Sequence, residues 1–268
     1  MHRCGRAESF LLTHDFSEPG ETDTAILEGV ISIEAALTGG KRTVSSIVAT
    51  RHRLPRGFSR VRDLAEARDV PIKFADREEI DRLSEGGSHG GVIAMAGDRT
   101  FDPLESVLAP APTPFLVMID GVEDPFNFGQ SIRSTYAAGA TGLLLRARNW
   151  LSAAGTVARA SAGASELIPA ALVESPQEAH EKCSEAAIET VLLADDGEES
   201  LFEHDLTKPL LLVLGGEQRG VTRSFKSLPH TTLKIPYGRT YDHSLGTAAS
   251  AAVVSFEVMR QRQLSHRE

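Results

Sequence analysis

The amino-acid sequence predicts an α/β protein in which a small N-terminal domain precedes a larger domain built on a parallel sheet. Strand-like apolar runs alternate with helix-like segments from about residue 24 onwards. Two of the runs, residues 115–119 and residues 210–214, are apolar at every position, which is typical of strands covered on both faces of a parallel sheet. Four prolines, from Pro103 to Pro114, separate the two regions.

The N-terminal region, residues 1–103, has the pattern of a small α/β layer. Predicted helices lie at residues 24–37, 61–67 and 76–84, and predicted strands lie at residues 46–49, 72–74 and 92–96. Residues 104–113 follow as a proline-rich linker, for which we predict an extended, fairly stiff conformation.

The C-terminal region, residues 114–268, alternates strands and helices as a doubly wound parallel sheet does. Predicted strands lie near residues 115, 142, 168, 191, 210 and 233, and predicted helices include residues 127–138 and 176–187. Ligands bind to open sheets of this kind beyond the carboxyl ends of the strands. The polar residues that follow the strands are therefore the first candidates for a functional site.

The strand at residues 115–119 runs into a polar turn and then into a helix. The turn residues are Asp120, Gly121, Asp124 and Pro125. Asn127 is expected to cap the helix, which carries Arg133 about two turns further on. These residues alone leave two interpretations open: a functional site, or an ordinary strand–turn–helix with a capping Asn and a solvated Arg.

Two further strand ends continue into loops with glycine or proline. The strand at residues 210–214 is followed by a glycine-bearing loop, and the strand near residue 233 is followed by Ile235 and Pro236. Ser244, Leu245 and an apolar helical tail come next. Together with the first turn, these segments resemble in order and spacing the three sequence motifs of the SpoU, or TrmH-like, ribose 2′-O-methyltransferases of the SPOUT class. The resemblance covers about residues 114–262.

The resemblance implies a fold, a reaction and partners. It implies a SPOUT domain with a C-terminal trefoil knot, S-adenosyl-L-methionine (AdoMet) as methyl donor, an RNA ribose 2′-hydroxyl as acceptor, and a homodimer. Residues 1–103 resemble the small RNA substrate-binding domain that precedes the catalytic domain in several rRNA-modifying relatives. This additional domain favours ribosomal RNA of the 23S type as substrate, and transfer RNA stays the alternative.

The resemblance also assigns roles to residues. The catalytic group is Arg133, Asn127, Glu217 and Ser244. The cofactor-binding group is Leu214, Gly215, Gly216, Gly220, Ile235, Pro236 and Leu245. A side chain at Gly215 is expected to intrude where the backbone must meet the ligand. Arg133 matches the family's proposed base, but an arginine stays charged in proteins, so we expect it to bind RNA phosphate and to stabilise the developing alkoxide.

The third motif departs from the family pattern. Relatives usually read Ser-Leu-Asn-Val-Ser, whereas this chain reads Ser-Leu-Gly-Thr-Ala and has Gly246 in place of the Asn. Thr247, Asp242 and His243 are the candidates to fill the space of the lost amide. The departure keeps a second hypothesis open, namely a catalytically silent RNA-binding protein that retains the SPOUT fold.

The charge distribution is uneven along the chain. The whole protein carries a net charge of −9, yet residues 41–68 hold eight basic and two acidic side chains, a local charge of +6. Such a patch suits RNA phosphates, although charge alone is equally consistent with a solvated basic loop. The family resemblance favours RNA. The arginines predicted to contact it are Arg51, Arg53, Arg56 and Arg60.

Composition and missing motifs exclude several classes of protein. Cys4 and Cys183 are far apart, which argues against a disulfide framework or a zinc site, so we expect no metal and a cytoplasmic location. No apolar run reaches membrane-spanning length, so we expect no membrane partner. Val221 stands where a P-loop needs Lys, and G-x-G-x-x-G follows none of the predicted strands, so nucleotide hydrolases and nicotinamide dehydrogenases are excluded.

Overall fold

A computed structural model describes residues 25–109, 113–146, 153–216 and 220–265. The N-terminal part contains a four-stranded sheet in the order β1-β4-β2-β3, in which β2 and β3 are parallel and β4 is antiparallel to its two neighbours. The strands are β1 (Ala25–Glu28), β2 (Val44–Thr50), β3 (Ile72–Ala75) and β4 (Val92–Ala96). Its helices are α1 (Val30–Gly39), α2 (Phe58–Glu66) and α3 (Arg77–Leu83).

The C-terminal part is built on a seven-stranded sheet in which every strand pairing is parallel, in the order β7-β6-β5-β10-β8-β11-β9. The strands are β5 (Phe115–Asp120), β6 (Gly142–Arg146), β7 (Ala170–Val173), β8 (Glu189–Leu193), β9 (Glu199–Ser200), β10 (Leu210–Gly215) and β11 (Thr231–Lys234). The helices are α4 (Leu104–Leu108), α5 (Pro125–Ala137), α6 (Ala154–Ala160), α7 (Ala164–Leu167), α8 (Pro176–Glu185), α9 (Arg223–Lys226) and α10 (Thr247–Ser265). The predicted α/β class with a parallel sheet is confirmed, while the knot and the division at residues 104–113 stay predictions.

The two central strands are apolar at every position because both faces of the sheet are covered. Phe115 and Leu212 face a core shared with Ile132 of α5 and Val254 of α10. The alternate residues of the same strands, Leu116 and Leu211 among them, pack on the other face against Cys183 of α8 and Phe225 of α9. Successive side chains of a strand point to opposite faces, so a strand between two helical layers needs an apolar residue at each position.

The predicted helix at residues 24–37 is wrong over its first turn. Ala25–Glu28 form strand β1, and the helix begins only at Val30. Gly29 has a φ of +82°, a conformation that ends the strand and that L residues with side chains rarely adopt. The strand forms because β1 pairs with β4, which lies far along the chain, so tertiary pairing overrides the local helical pattern.

The prediction of an extended linker is also wrong in its first half. Leu104–Leu108 form helix α4, in which Val107 is fully buried against the parallel sheet. Pro103 directly precedes the helix, where a proline costs no helical hydrogen bond. Residues 110–112, which include two of the prolines, lie outside the described residues.

The N-terminal sheet region packs tightly on helices α6 and α7. A Cβ at Gly155 of α6 would collide with the backbone of Ile26, and a Cβ at Gly39 of α1 would collide with the carbonyl of Glu166. Ala158 of α6 belongs to the hydrophobic core of the N-terminal sheet. Backbone therefore meets backbone across this contact, and the two regions share a core.

Charged side chains cross the same contact. Arg42 donates from Nε to Oε2 of Glu166 at 2.9 Å, and the two side chains are only 7% and 1% exposed. Glu28, also buried, pairs with Arg159 and accepts a hydrogen bond from the Gly86 N–H at 2.6 Å. Because each carboxylate has a cationic partner, the cost of burying the charges is offset, and the two regions are held in one orientation.

We expect Glu166→Ala to lower the free energy of unfolding by about 3 kcal/mol, because Arg42 is then left buried without its carboxylate. The matched control is Asp63→Ala, which removes a carboxylate from an exposed pair with Arg62 and should cost at most about 0.5 kcal/mol. Urea unfolding of the two variants checks this. Equal losses would contradict a structural role for the buried pair.

Candidate active site

A cavity of about 340 Å³ lies beyond the carboxyl ends of β8, β10 and β11, and we call it the carboxyl-edge cavity. The predicted cofactor-binding residues that line it are Leu214, Gly215, Gly216, Gly220, Ile235 and Leu245. Ser244, predicted as catalytic, lines it as well, whereas Pro236 does not. Because the three strands are neighbours in the sheet, residues from the second and third sequence motifs reach one place.

The glycine loop after β10 forms one wall of the cavity. Gly216 and Gly220 pair across the loop, and the Gly220 N–H donates to the Gly216 carbonyl at 2.8 Å. A Cβ at Gly215 would collide with the backbone of Gly220 and Val221. The reason predicted for this glycine, space for a ligand, is therefore incomplete: the chain's own backbone already fills the space. Glu217, the fourth predicted catalytic residue, lies outside the described residues.

The loops after β5 and β10 are also joined to each other. A Cβ at Gly216 would collide with the carbonyl of Gly121, so only glycine allows this approach. Asp120, the buried last residue of β5, accepts a hydrogen bond on Oδ2 from the Thr222 N–H at 2.9 Å. Its other carboxylate oxygen is 3.9 Å from Nη1 of Arg146. Asp120 thus fixes the loop that carries the cavity wall.

The third motif is anchored to the same wall. Thr247 is buried at the first position of α10 and donates its hydroxyl to the Gly215 carbonyl at 3.0 Å. The Leu245 N–H donates to the Tyr237 hydroxyl at 3.0 Å. Gly246, which stands in place of the family's Asn, is exposed. The other two candidates to fill the space of that Asn, Asp242 and His243, are exposed as well. The Thr247 hydroxyl therefore serves a structural contact.

Helix α5 carries the predicted residues of the first motif. Its N-cap is Asp124, whose side chain accepts from the Phe126 N–H at 2.8 Å, and Pro125 is the first helical residue. The prediction that Asn127 caps the helix is wrong, because Asn127 lies within the first turn. Arg133 is exposed and lies six positions after Asn127, which places the two about 120° apart around the helix axis. Neither is among the described residues that line the carboxyl-edge cavity.

Sequence reasoning missed a pair of carboxylates beside the cavity. Asp195 and Asp196 line it just beyond the end of β8. Their turn is fixed by hydrogen bonds from the Ala194 N–H to the Leu233 carbonyl at 3.0 Å and from the Gly197 N–H to the Ala194 carbonyl at 3.2 Å. A Cβ at Gly197 would collide with the backbone of Leu233. The Asp-Asp-Gly turn directly after an apolar run was the signal available in the sequence.

A second concave surface, of about 520 Å³, lies at the carboxyl end of β2, and we call it the basic groove. Arg53 and Arg56, two of the arginines predicted to contact RNA, line it together with Arg77 of α3. The other two are not among its lining residues. Arg51 donates from Nε to the Phe74 carbonyl at 3.0 Å, and Nε of Arg60 is 2.7 Å from a carboxylate oxygen of Glu34.

A buried histidine shapes the basic groove. His89 is fully buried and accepts on Nδ1 from the Gly91 N–H at 3.1 Å, so its Nε2 carries the proton and donates to Asp81 Oδ1 at 2.6 Å. Gly90 and Gly91, which line the groove, have φ values of +60° and +88°. His89 thus ties this glycine turn to helix α3, which also carries Arg77.

Two further features bear on partners. Among the described residues, no group of three or more His, Cys, Asp and Glu side chains is placed to hold a metal ion. None of the helices in the described ranges combines the length and the apolar character that a membrane span requires. The expectation of a cytoplasmic, metal-free protein stays an expectation.

Comparisons with known proteins point in one direction. The SpoU rRNA Methylase family profile matches residues 114–256, and a profile for RNA 2′-O ribose methyltransferase substrate binding matches residues 26–100. The 23S rRNA (guanosine-2′-O-)-methyltransferase RlmB of Pseudomonas putida is 29% identical over 239 residues, which cover 88% of this chain and 96% of that protein. The protein of the same name from Shewanella oneidensis is 26% identical and is covered to 98%.

Solved structures agree with the sequence relatives. The SpoU methyltransferase AviRb from Streptomyces viridochromogenes, crystallised in complex with the cofactor AdoMet, superimposes with a TM-score of 0.73 at 27% identity. The similarity covers 89% of this chain and 90% of that one. A second structure of the same protein gives a TM-score of 0.74 at 25% identity. The similarity therefore extends over both sheet regions.

Proposed function

This chain belongs to the SpoU rRNA methylase family of AdoMet-dependent RNA 2′-O-ribose methyltransferases, and we propose that its own substrate is ribosomal RNA of the 23S type. The observation that carries the proposal is the convergence of the second and third motif segments on the carboxyl-edge cavity, in a chain that also has a basic groove on its N-terminal sheet region. Relatives named for 23S rRNA match nearly their whole length, including the N-terminal region, which supports ribosomal over transfer RNA.

The carboxyl-edge cavity fits AdoMet in size and in chemistry. Its volume of about 340 Å³ lies within the usual range of small-molecule sites. Gly215 and Gly216 form a wall of backbone that can approach a ligand closely, while Leu214, Ile235 and Leu245 offer apolar surface to an adenine ring. When bound, AdoMet supplies the methyl group from its sulfonium centre.

The two missed carboxylates suit the charge of this cofactor. Asp195 and Asp196 place negative charge beside a cavity whose ligand carries a sulfonium and an ammonium group. Their turn is fixed by two backbone hydrogen bonds, so little reorganisation accompanies binding. We assign these carboxylates the task of favouring the cationic methyl donor over the reaction product, whose sulfur is neutral.

We propose that Arg133 acts on the RNA. Its guanidinium is permanently charged and exposed on α5, so it can bind a phosphate and stabilise negative charge as the 2′-hydroxyl loses its proton. Asn127 on the same helix supports the phosphate or ribose, and Ser244 at the cavity rim stands near the acceptor. Glu217 keeps its predicted catalytic role as a proposal from the family motif.

A catalytically silent RNA-binding protein is the second candidate, favoured by Gly246 in place of the family's Asn. Gly246 is exposed, and the neighbouring Thr247 hydroxyl is engaged with the Gly215 carbonyl. If this candidate holds, the parent chain transfers no methyl group to rRNA and Gly246→Asn restores transfer. An active parent in which Gly246→Asn changes the rate little supports the enzyme.

We also propose that the protein is a homodimer. Helices α5 and α10 pack against each other, and each exposes large apolar side chains. These are Phe126 and Tyr136 on α5, and Phe256 and Leu264 on α10. Exposed apolar residues on neighbouring helices form a surface suited to a second copy of the chain.

The dimer proposal predicts that Phe256→Glu shifts the protein towards a monomer, because a buried charge at the subunit contact would lack a partner. Phe74→Glu is the matched control, since Phe74 is 47% exposed but lies on β3 of the N-terminal sheet. Light scattering gives the molar mass. A monomeric parent, or equal effects of both variants, would contradict the proposed interface.

The cofactor assignment predicts that Asp195→Asn and Asp196→Asn each weaken AdoMet binding by about 3-fold, since each removes one attraction typical of surface charges. Binding of S-adenosylhomocysteine, which lacks the sulfonium charge, should change less. Glu198→Gln is the matched control, because Glu198 lies on the same loop but does not line the cavity. Calorimetry measures both affinities. If the variants bind AdoMet and S-adenosylhomocysteine equally more weakly, the carboxylates do not distinguish the two ligands by charge.

The role of Arg133 predicts that Arg133→Ala loses methyl transfer by about 100-fold or more while AdoMet affinity stays near that of the parent. Arg133→Lys keeps the positive charge but not the planar guanidinium, so its rate of methyl transfer should lie between those of the parent and of Arg133→Ala. Single-turnover transfer to unmodified 23S rRNA and calorimetry with AdoMet measure the two quantities. Normal methyl transfer by Arg133→Ala would show that Arg133 does not belong to the active site.

The basic groove predicts that Arg77→Gln lowers affinity for 23S rRNA and reduces the slope of log K against log salt by about 0.7, the loss of one phosphate contact. Arg82→Gln is the matched control: Arg82 lies on the same helix but not in the groove, and its Nε donates to the Glu78 carbonyl. Anisotropy at several salt concentrations provides the measurement. Identical slopes for both variants would make the groove ordinary solvated surface.

A further inference from the structure

Three aromatic rings lie in series on the segment between β11 and α10. The ring centroids of Tyr237 and Tyr241 are 6.1 Å apart with the planes tilted by 56°. Those of Tyr241 and His243 are 5.4 Å apart with the planes at 76°, an edge-to-face arrangement. Both separations lie in the range of attractive aromatic pairs. The three rings thus hold one another in place on a segment without helix or strand.

The inner end of the series belongs to the carboxyl-edge cavity. Tyr237 lines the cavity, and its hydroxyl accepts from the N–H of Leu245, which lines it too. Ser244 lies between His243 and Leu245 in the chain and is also part of the cavity lining. The rings of Tyr241 and His243 are therefore linked to the rim of the cofactor site through Tyr237 on one side and through the chain on the other.

The outer end of the series faces solvent. Tyr241 is 59% exposed, and His243 is exposed as well. A tyrosine in that position contributes little to the hydrophobic core, because most of its surface stays in water. Arg239, also exposed, is two residues before Tyr241 in the chain and adds a positive charge to the same segment. Aromatic rings beside a cation form the kind of surface that binds single-stranded nucleic acid.

We propose that Tyr241 and His243 form a stacking platform for an unpaired RNA base next to the ribose that receives the methyl group. The inference rests on the proposed function, and it adds residues that determine how the RNA is held. Unpaired bases in RNA are recognised largely by stacking on aromatic side chains. A base held at the rim of the cavity brings its own ribose, or that of its neighbour, towards the methyl donor, so the platform positions the acceptor.

Two substitutions of Tyr241 separate stacking from other roles. Tyr241→Ala removes the ring and should weaken binding of a fluorescein-labelled, unstructured oligoribonucleotide roughly 10-fold, as loss of one base–aromatic stack does. Tyr241→Phe keeps the ring and should bind as the parent does. The KM for unmodified 23S rRNA should follow the same order, whereas AdoMet affinity stays unchanged. Phe202→Ala serves as the matched control, because Phe202 is 52% exposed and lies outside this segment.

The outcomes distinguish this proposal from the proposed function. Equal RNA affinity of Tyr241→Ala and Phe202→Ala overturns the platform even if the parent is an active methyltransferase. A Tyr241→Phe variant as weak as Tyr241→Ala also overturns it, because the hydroxyl rather than the ring would then be required. A change of molar mass in Tyr241→Ala shows a subunit contact instead and overturns it too. If the parent binds RNA but transfers no methyl group, the function fails, while the affinity comparison still decides the platform.

Discussion

The close approach of two loops at the carboxyl edge of the sheet is the constraint on which the site depends. The turn after β5 and the loop after β10 meet backbone to backbone, so Gly216 cannot carry a Cβ beside the carbonyl of Gly121. Asp120 adds a buried carboxylate that receives the Thr222 N–H. Glycine here is required by the protein's own packing, and the backbone surface that results is what a ligand in the cavity would meet.

The C-terminal helix and the N-terminal region are both tied to this arrangement. Thr247, at the start of α10, donates to the Gly215 carbonyl, so the helix begins from the cavity wall. Where the two sheet regions meet, α6 packs on β1 so closely that Gly155 has no room for a side chain, and buried pairs such as Arg42 with Glu166 cross the contact. The basic groove and the cavity are therefore parts of one packed structure.

The sequence carried enough information for the strands and the order of the motifs, and less for the contacts between them. Continuous apolar runs identified β5 and β10, because strands buried on both faces have that composition. The sequence prediction places the helix cap at Asn127, although Asp124 followed by Pro125 is itself a strong start signal, and Asp124 is the cap in the structure. Strand β1 depends on pairing with β4, which local periodicity does not report. The proposed roles of Asp195, Arg77 and Tyr241 depend on features that only the fold creates. These features are the carboxyl-edge cavity, the basic groove and the neighbouring aromatic rings.

We propose that the carboxyl-edge cavity delivers a methyl group to a ribose hydroxyl of ribosomal RNA. The most direct test incubates the purified protein with unmodified 23S rRNA and AdoMet that carries a deuterated methyl group, followed by digestion to nucleosides and mass spectrometry. We expect the labelled methyl group to appear on the ribose of 2′-O-methylated nucleosides. Label on a base, or no label although calorimetry shows that the protein binds AdoMet, would contradict it.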